Sequence, residues 1–298
     1  MSTMTASRAA AGSTRSLRTT APRRSRARLH PLVWVFAILA MGFSLVPFYW
    51  LVSTSLKKGA SLGRGELFPS EPTLDNYVAV FGNGDFLLAL RNSVIIAVVT
   101  TIISLVFASF AAYALARLRM RRKALLLTLI LSVTTFPAIA IAAPMFAIWR
   151  DIGLYDTLVG LIIPKLTFAL PLAIYTLTSF FRDIPRELEE SAYVDGATPF
   201  QAFRRVILPL AVPGLATTAI LVFISVWNEF LLAVTLTSSP AARPVPVAIA
   251  FFNGMSEFDL PLGRISAASV IVTIPLVILV LICQKRIVAG MTAGAVKG

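Results

Sequence analysis

Two groups of ionisable residues stand where an apolar chain has no routine use for them. The first is Glu187, Glu189, Glu190 and Asp195, crowded beside Gly196 between two long hydrophobic runs. The second is Glu229, within Trp227-Asn228-Glu229-Phe230, with Lys165 the other charge deep inside apolar sequence. A carboxylate at that depth is costly and normally faces a bundle interior or a wet cavity. Asn228 and Glu229 can exchange hydrogen bonds with a polar solute, and Trp227 and Phe230 offer aromatic faces for contact. The alternative is a structural hydrogen bond within the membrane. Lys165 is either a partner for Glu229 or a side chain that snorkels toward the interface. The remaining inventory is poor in catalysts. His30 and Cys283 are the single histidine and cysteine, so no span holds a histidine to activate a serine and no His/Cys cluster is available for a metal. No G-x-x-x-x-G-K-[ST] loop for nucleotide phosphates is present. The sequence therefore predicts no catalytic residue and no metal or cofactor of its own.

The elements that position these residues are membrane spans. Charged residues make up only 14% of the 298, against about 25% in soluble domains, with 57% hydrophobic residues and a mean hydropathy of +0.82. Cys283, near the end of an apolar run, reads as a buried small hydrophobe. About 20 apolar residues cross a hydrocarbon core, and six segments qualify: Pro31–Ser55, Leu88–Leu115, Leu125–Trp149, Leu158–Phe181, Val206–Leu236 and Ile265–Cys283. Prolines 137, 144, 164, 171, 209 and 213 predict kinks in the third to fifth, tolerable where neighbouring helices satisfy the freed carbonyls.

The net charge of +13 does not indicate nucleic-acid binding, because of where the charge lies. Seven arginines fall in the Ser/Thr/Ala-rich residues 1–30, too poor in apolar side chains to order themselves and suited to anionic lipid headgroups on the cytoplasmic side. The expected organisation is a disordered basic cytoplasmic tail over 1–30 and a six-span domain over 31–298. With the N-terminus inside, nineteen lysines and arginines are cytoplasmic and seven are external. The bias predicts a multi-pass plasma-membrane protein with both termini cytoplasmic. It also places Pro185–Pro209 in the cytoplasm.

That insert reads as two short helices. Pro185 suits a first helical position, and Glu187, Glu189 and Glu190 follow where a helix dipole favours negative charge. Ile184, Leu188 and Ala192 form a narrow apolar stripe. Gly196 permits the positive φ that ends a helix, and Thr198-Pro199-Phe200-Gln201 matches a capping box that starts the next one. Phe200, Phe203 and Ile207 make its apolar stripe. An interfacial helix would favour basic residues on its polar face. Three glutamates favour docking to a soluble partner instead.

In its residues the insert resembles the EAA loop of ABC-importer permeases: Glu190-Ser191-Ala192, Gly196, Val206 and Leu208-Pro209 keep that motif's spacing, with Ser191 for Ala and Val206 for Ile. Beyond residues 1–30 the chain is similar to sugar-importer permeases of the maltose-permease type. The resemblance is carried by Pro72–Tyr77, Asn92-Ser93, Ala111–Arg117 and the tail Gln284–Gly298. Phe168–Leu177 and that tail most resemble the trehalose-importer permeases of actinobacteria. The resemblance implies an all-α integral membrane fold, with six transmembrane helices and a cytoplasmic helix-turn-helix between the fourth and fifth. It implies a second homologous permease subunit, two ATPase subunits that hold ATP and magnesium, and an extracytoplasmic sugar-binding protein, lipid-anchored or periplasmic. Glu187, Glu190, Ser191, Ala192, Asp195, Gly196 and Pro209 would couple to the ATPase. Trp227, Asn228, Glu229 and Phe230 would line the solute path, and Asn253, Gly254 and Met255 would meet the binding protein. Permeases for another oligosaccharide or for glycerol phosphate, and a secondary transporter, are the alternatives.

Overall fold

A computed structural model describes residues 31–62, 65–252 and 261–295, with side chains described to residue 282. The expectations for residues 1–30 and for Asn253, Gly254 and Met255 fall outside the described residues. The chain divides into two compact units, Met1–Val46 and Pro47–Gly298. The described part of the first is one stretch of helix, whose Trp34, Phe36, Leu39 and Phe43 are all exposed.

The described residues are helical, with no strand. The helices are α1 (Pro31–Ser55), α2 (Asp75–Phe81), α3 (Gly84–Arg117), α4 (Lys123–Ser132), α5 (Ala138–Asp151), α6 (Leu158–Asp183) and α7 (Glu187–Val194). They continue with α8 (Pro199–Ala202), α9 (Leu208–Leu210), α10 (Val212–Asn228), α11 (Leu231–Leu236), α12 (Val245–Ala250) and α13 (Leu262–Ala295). Four of them, α1, α3, α6 and α13, are long and apolar enough to cross a membrane, and two bent pairs bring the number to as many as six.

The bent pairs correct two expected spans. The third does not run straight from Leu125 to Trp149: the chain bends by 81° between α4 and α5. Pro137 disfavours helical backbone at the residue before it, and Phe136 is accordingly extended at φ −70°, ψ 127°. The segment expected as the fifth span, Val206–Leu236, is broken: α10 begins at Val212 after a 73° bend and ends at Asn228. Residues 206–210 belong to the preceding helical elements, Phe203–Ile207 and Leu208–Leu210. Pro144, Pro164 and Pro171 remain inside continuous helices.

Helix packing in this fold inverts the usual amphipathic rule. On α3 the large side chains Val94, Val98, Ile102, Val106 and Phe110 point outward, whereas Ala97, Thr101, Ser104, Ala108 and Ala112 are buried. Lipid is as apolar as leucine, so small residues that let backbones approach drive association instead. On α6 Ala169 and Ala173 belong to the same core, and Gly214 of α10 lies where a Cβ would come within 2.5 Å of the Phe180 ring of α6.

Side-chain hydrogen bonds fix the loops at one end of this bundle. Asn92 Nδ2 donates to the carbonyls of Pro240, Ala241 and Arg243 at 3.0–3.2 Å, and Ser93 Oγ accepts from Val245 N at 2.8 Å. Asp156, at φ +57°, accepts from the amides of Ser238 and Ser239 at 2.9 and 3.1 Å. Burial alone would raise its pKa, but the hydrogen bonds from Ser239 and Ser238 outweigh it and hold the carboxyl below its ordinary value. A group depressed in this way stabilises the fold above the normal carboxylate range and loses that stabilisation as pH falls through its folded value. Asp156→Asn keeps an acceptor oxygen and tolerates positive φ. It should melt below wild type near neutral pH, where the carboxylate contributes, and the two should converge on acidification, as followed by thermal unfolding across pH.

Candidate functional site

The acidic insert folds as two helices around a tight turn. Helix α7 begins at Glu187, two residues after Pro185, and Glu187, Glu189 and Glu190 occupy its first turn. It ends in a Schellman motif: Ala197 N donates to Ala192 O at 2.9 Å and Gly196 N to Tyr193 O at 3.0 Å. Gly196 holds φ +82° there, a region that costs other residues about 1–2 kcal/mol. The next helix starts on a complete capping box, with Gln201 N donating to Thr198 Oγ1 at 3.3 Å and Thr198 N to Gln201 Oε1 at 2.9 Å. A π-helical turn, Phe203–Ile207, follows directly.

The inward faces differ from the expected stripes. Phe203 and Ile207 are buried as anticipated, but Phe200 is 60% exposed. Phe203 packs with Phe110 and Tyr113 of α3 and Phe181 of α6, at ring-centroid distances of 5.4, 4.9 and 6.4 Å. On α7 the residue that turns inward is a charge: Glu189 is buried, while Leu188 and Val194 are exposed. Glu189 Oε1 accepts from Tyr113 Oη at 2.5 Å and from Tyr193 Oη at 2.6 Å, and Oε2 ion-pairs with Arg117 Nε at 3.3 Å. Arg117 Nη2 also donates to Ile184 O at 2.8 Å, beyond the end of α6. Burial and the bond to Glu189 raise the pKa of Tyr193, so its hydroxyl stays a donor. These contacts knot α3, α6 and α7 together. They leave Glu187, Glu190, Ser191, Asp195 and Gly196 on the open face, with Ala192 half-buried and Pro209 exposed.

The second site lies where α10 stops. Glu229 is extended at φ −69°, ψ 121° and separates α10 from α11. Lys165 Nζ of α6 pairs with Glu229 Oε2 at 2.6 Å and donates to the carbonyls of Val226 and Glu229, each at 3.3 Å. The other carboxylate oxygen accepts from Leu232 N at 2.6 Å. The cation thus sits at the carbonyl end of one helix and the anion at the amide end of the next, each where the local dipole favours it. Trp227 is buried and stacks on Phe223 at 5.5 Å, so its ring faces are committed to protein. Asn228 is exposed, with its amide donating to Ile224 O at 2.9 Å, and Phe230 is also exposed.

Comparison with known proteins accounts for this pairing of a surface helix-turn-helix with a membrane bundle. Residues 104–293 match the family described as binding-protein-dependent transport system inner membrane component. The chain is a member of that family. It is 53% identical over 264 residues to the trehalose transport system permease protein SugB of Mycobacterium tuberculosis, covering 89% of this chain and 96% of that one. It is 41% identical over 270 residues to the sulfoquinovosyl glycerol transport system permease protein SmoH of Agrobacterium fabrum, covering 90% and 94%. Its fold is similar to a chain in the crystal structure of a bacterial ABC transporter that imports the acidic polysaccharide alginate. There the TM-score is 0.71 at 27% identity, over 89% of this chain and 99% of that chain.

The permease is therefore an all-α, multi-pass membrane component of a transport system. Sequence reasoning had counted Glu189 with Glu187 and Glu190 among the residues that favour docking, and missed its inward turn toward Tyr113 and Arg117. The available signal was Tyr113 and Arg117 one helical turn apart at the end of a long apolar run.

Proposed function

We propose that this permease subunit moves trehalose or a closely related disaccharide inward, driven by separate ATPase subunits that bind the α7–α8 turn. The observation that carries the reading is the 53% identity to SugB across nearly the whole of both chains. The open face of α7 supports the coupling role. Exposed Glu187, Glu190 and Asp195 alternate there with exposed Leu188 and Val194, the mixture of charge and apolar surface that a protein cleft, rather than anionic lipid, complements. A second homologous permease, two ATPase subunits carrying ATP and magnesium, and an extracytoplasmic sugar-binding protein complete the proposed assembly. The α7–α8 turn and both termini then lie in the cytoplasm.

The 41% identity to SmoH favours a second reading, an anionic glycoside. An anion in the path calls for a free arginine or lysine. Lys165, the cation deep in the spans, is already neutralised by Glu229, which supports an uncharged sugar. The complex reconstituted in proteoliposomes with its ATPase and binding protein should accumulate radiolabelled trehalose only when ATP is supplied to the ATPase side. ATP-driven uptake of a sulfonated or phosphorylated glycoside, without trehalose uptake, would reverse the assignment.

A further inference from the structure

We propose that Glu189 is the positioning residue through which movement of α7 reaches α3, with Tyr113 and Arg117 as its attachment points; this rests on the coupling role proposed above. The first argument is what holds α7 down. Of its eight residues, Glu189 is the buried one, and the larger apolar side chains Leu188 and Val194 face away. A cavity of about 200 Å³ lies beside the cluster, lined by Tyr113, Arg117, Glu189 and Tyr193 among others. Apolar packing therefore does not clamp this helix to the bundle, and the polar contacts do.

The second argument is direction. Apolar contacts slide under shear, whereas short bonds to a charged group are directional and roughly twice as strong as neutral ones. Tyr113 and Arg117 project from the last two turns of α3, Tyr113 holding one carboxylate oxygen by a hydrogen bond and Arg117 attracting the other as an ion pair at 3.3 Å without hydrogen-bond alignment. Arg117 extends the same grip to the backbone beyond α6. A push or a pull on α7 is thus delivered to two spans at once. Phe203 supplies a separate, apolar attachment beneath the π-helical turn, so removing the Glu189 link loosens the element without detaching it.

Two tyrosines make the test selective. Both donate to the same oxygen of Glu189, Tyr113 across the helices at 2.5 Å and Tyr193 within α7 at 2.6 Å, and Tyr193 otherwise reaches α3 only through a long 3.4 Å contact with the Tyr113 hydroxyl. In proteoliposomes holding the full complex with its ATPase and binding protein, the quantity read is ATP hydrolysed per radiolabelled trehalose imported. Tyr113→Phe and Glu189→Gln should retain the ATPase subunits and raise that ratio about tenfold, the scale of one charge-assisted hydrogen bond. Tyr193→Phe should leave it near the wild-type value. A wild-type ratio in Tyr113→Phe, an equal rise in Tyr193→Phe, or loss of the ATPase subunits from Tyr113→Phe would each overturn the proposal. A wild-type complex that retains no ATPase subunits or imports no trehalose would instead overturn the reading on which it rests.

Discussion

Lys165→Met should be the most destabilising single substitution in the membrane bundle, and Lys165→Met with Glu229→Met should restore most of the loss. Lys165 is almost fully buried, and its ammonium is surrounded by the Glu229 carboxylate and two carbonyls. Removing one member of a buried pair leaves the other uncompensated, at a cost of about 3–5 kcal/mol. Glu229 is 23% exposed at its side chain, so hydration returns part of that and the lower end is expected. The single variant also removes the Lys165 donor from the carbonyls of Val226 and Glu229, leaving Val226 O only the long bond from Glu229 N. In the double variant no charge is left unpaired, and apolar replacement of a whole buried pair is often close to neutral. The check is thermal unfolding of the purified complex for wild type, both single variants and the double. Equal melting of Lys165→Met and wild type would show that the pair contributes nothing to the fold.

Gly196→Arg should leave the permease in the membrane at wild-type level and reduce retained ATPase subunits by about tenfold, a factor that corresponds to 1.4 kcal/mol of binding energy. The cause is conformational. A Cβ at Gly196 meets nothing within 4 Å, so the penalty comes from holding φ +82° with a side chain attached. Relief of that strain reorients α7 relative to α8 and displaces Glu190 and Asp195 from their common face. Glu190→Arg should have a similar effect by charge reversal with the backbone unchanged. The measurement is the ratio of ATPase to permease after affinity purification, beside the amount of permease in the membrane fraction. A fall in both by the same factor would mean that the substitutions act on folding rather than on docking.

What could be read from the chain divides by the range of the interactions involved. The helix ends around the α7–α8 turn were legible because caps are local: Gly196 terminates, and Thr198 with Gln201 restarts. The extra bend before α5 was signalled by Pro137, though its size of 81° was not. The inward orientation of Glu189 was not legible. Periodicity assigned the buried face of α7 to Leu188, and the outcome depended on Tyr113 and Arg117 lying 76 and about 72 positions away, in reach only once α3 and α6 pack. The end of α10 at Glu229 has no proline or glycine to mark it. It is held instead by Lys165, 64 residues earlier. Trp227 looked like a stacking platform for a sugar. Its burial against Phe223 follows from helix packing that no local pattern announces, leaving Asn228 and Phe230 as the members of that group with open surface.

The central claim is that the turn after α7 is where a soluble ATPase engages this permease. Val194, 87% exposed on α7, is suited to report on it directly. A photo-crosslinking amino acid placed at Val194 in the co-expressed complex should yield, on irradiation of native membranes, an adduct with the combined mass of the permease and one ATPase subunit. The same probe at Ile102, exposed on the outer stripe of α3, should give none. Adducts from Val194 confined to lipid, with no ATPase captured, would contradict the account.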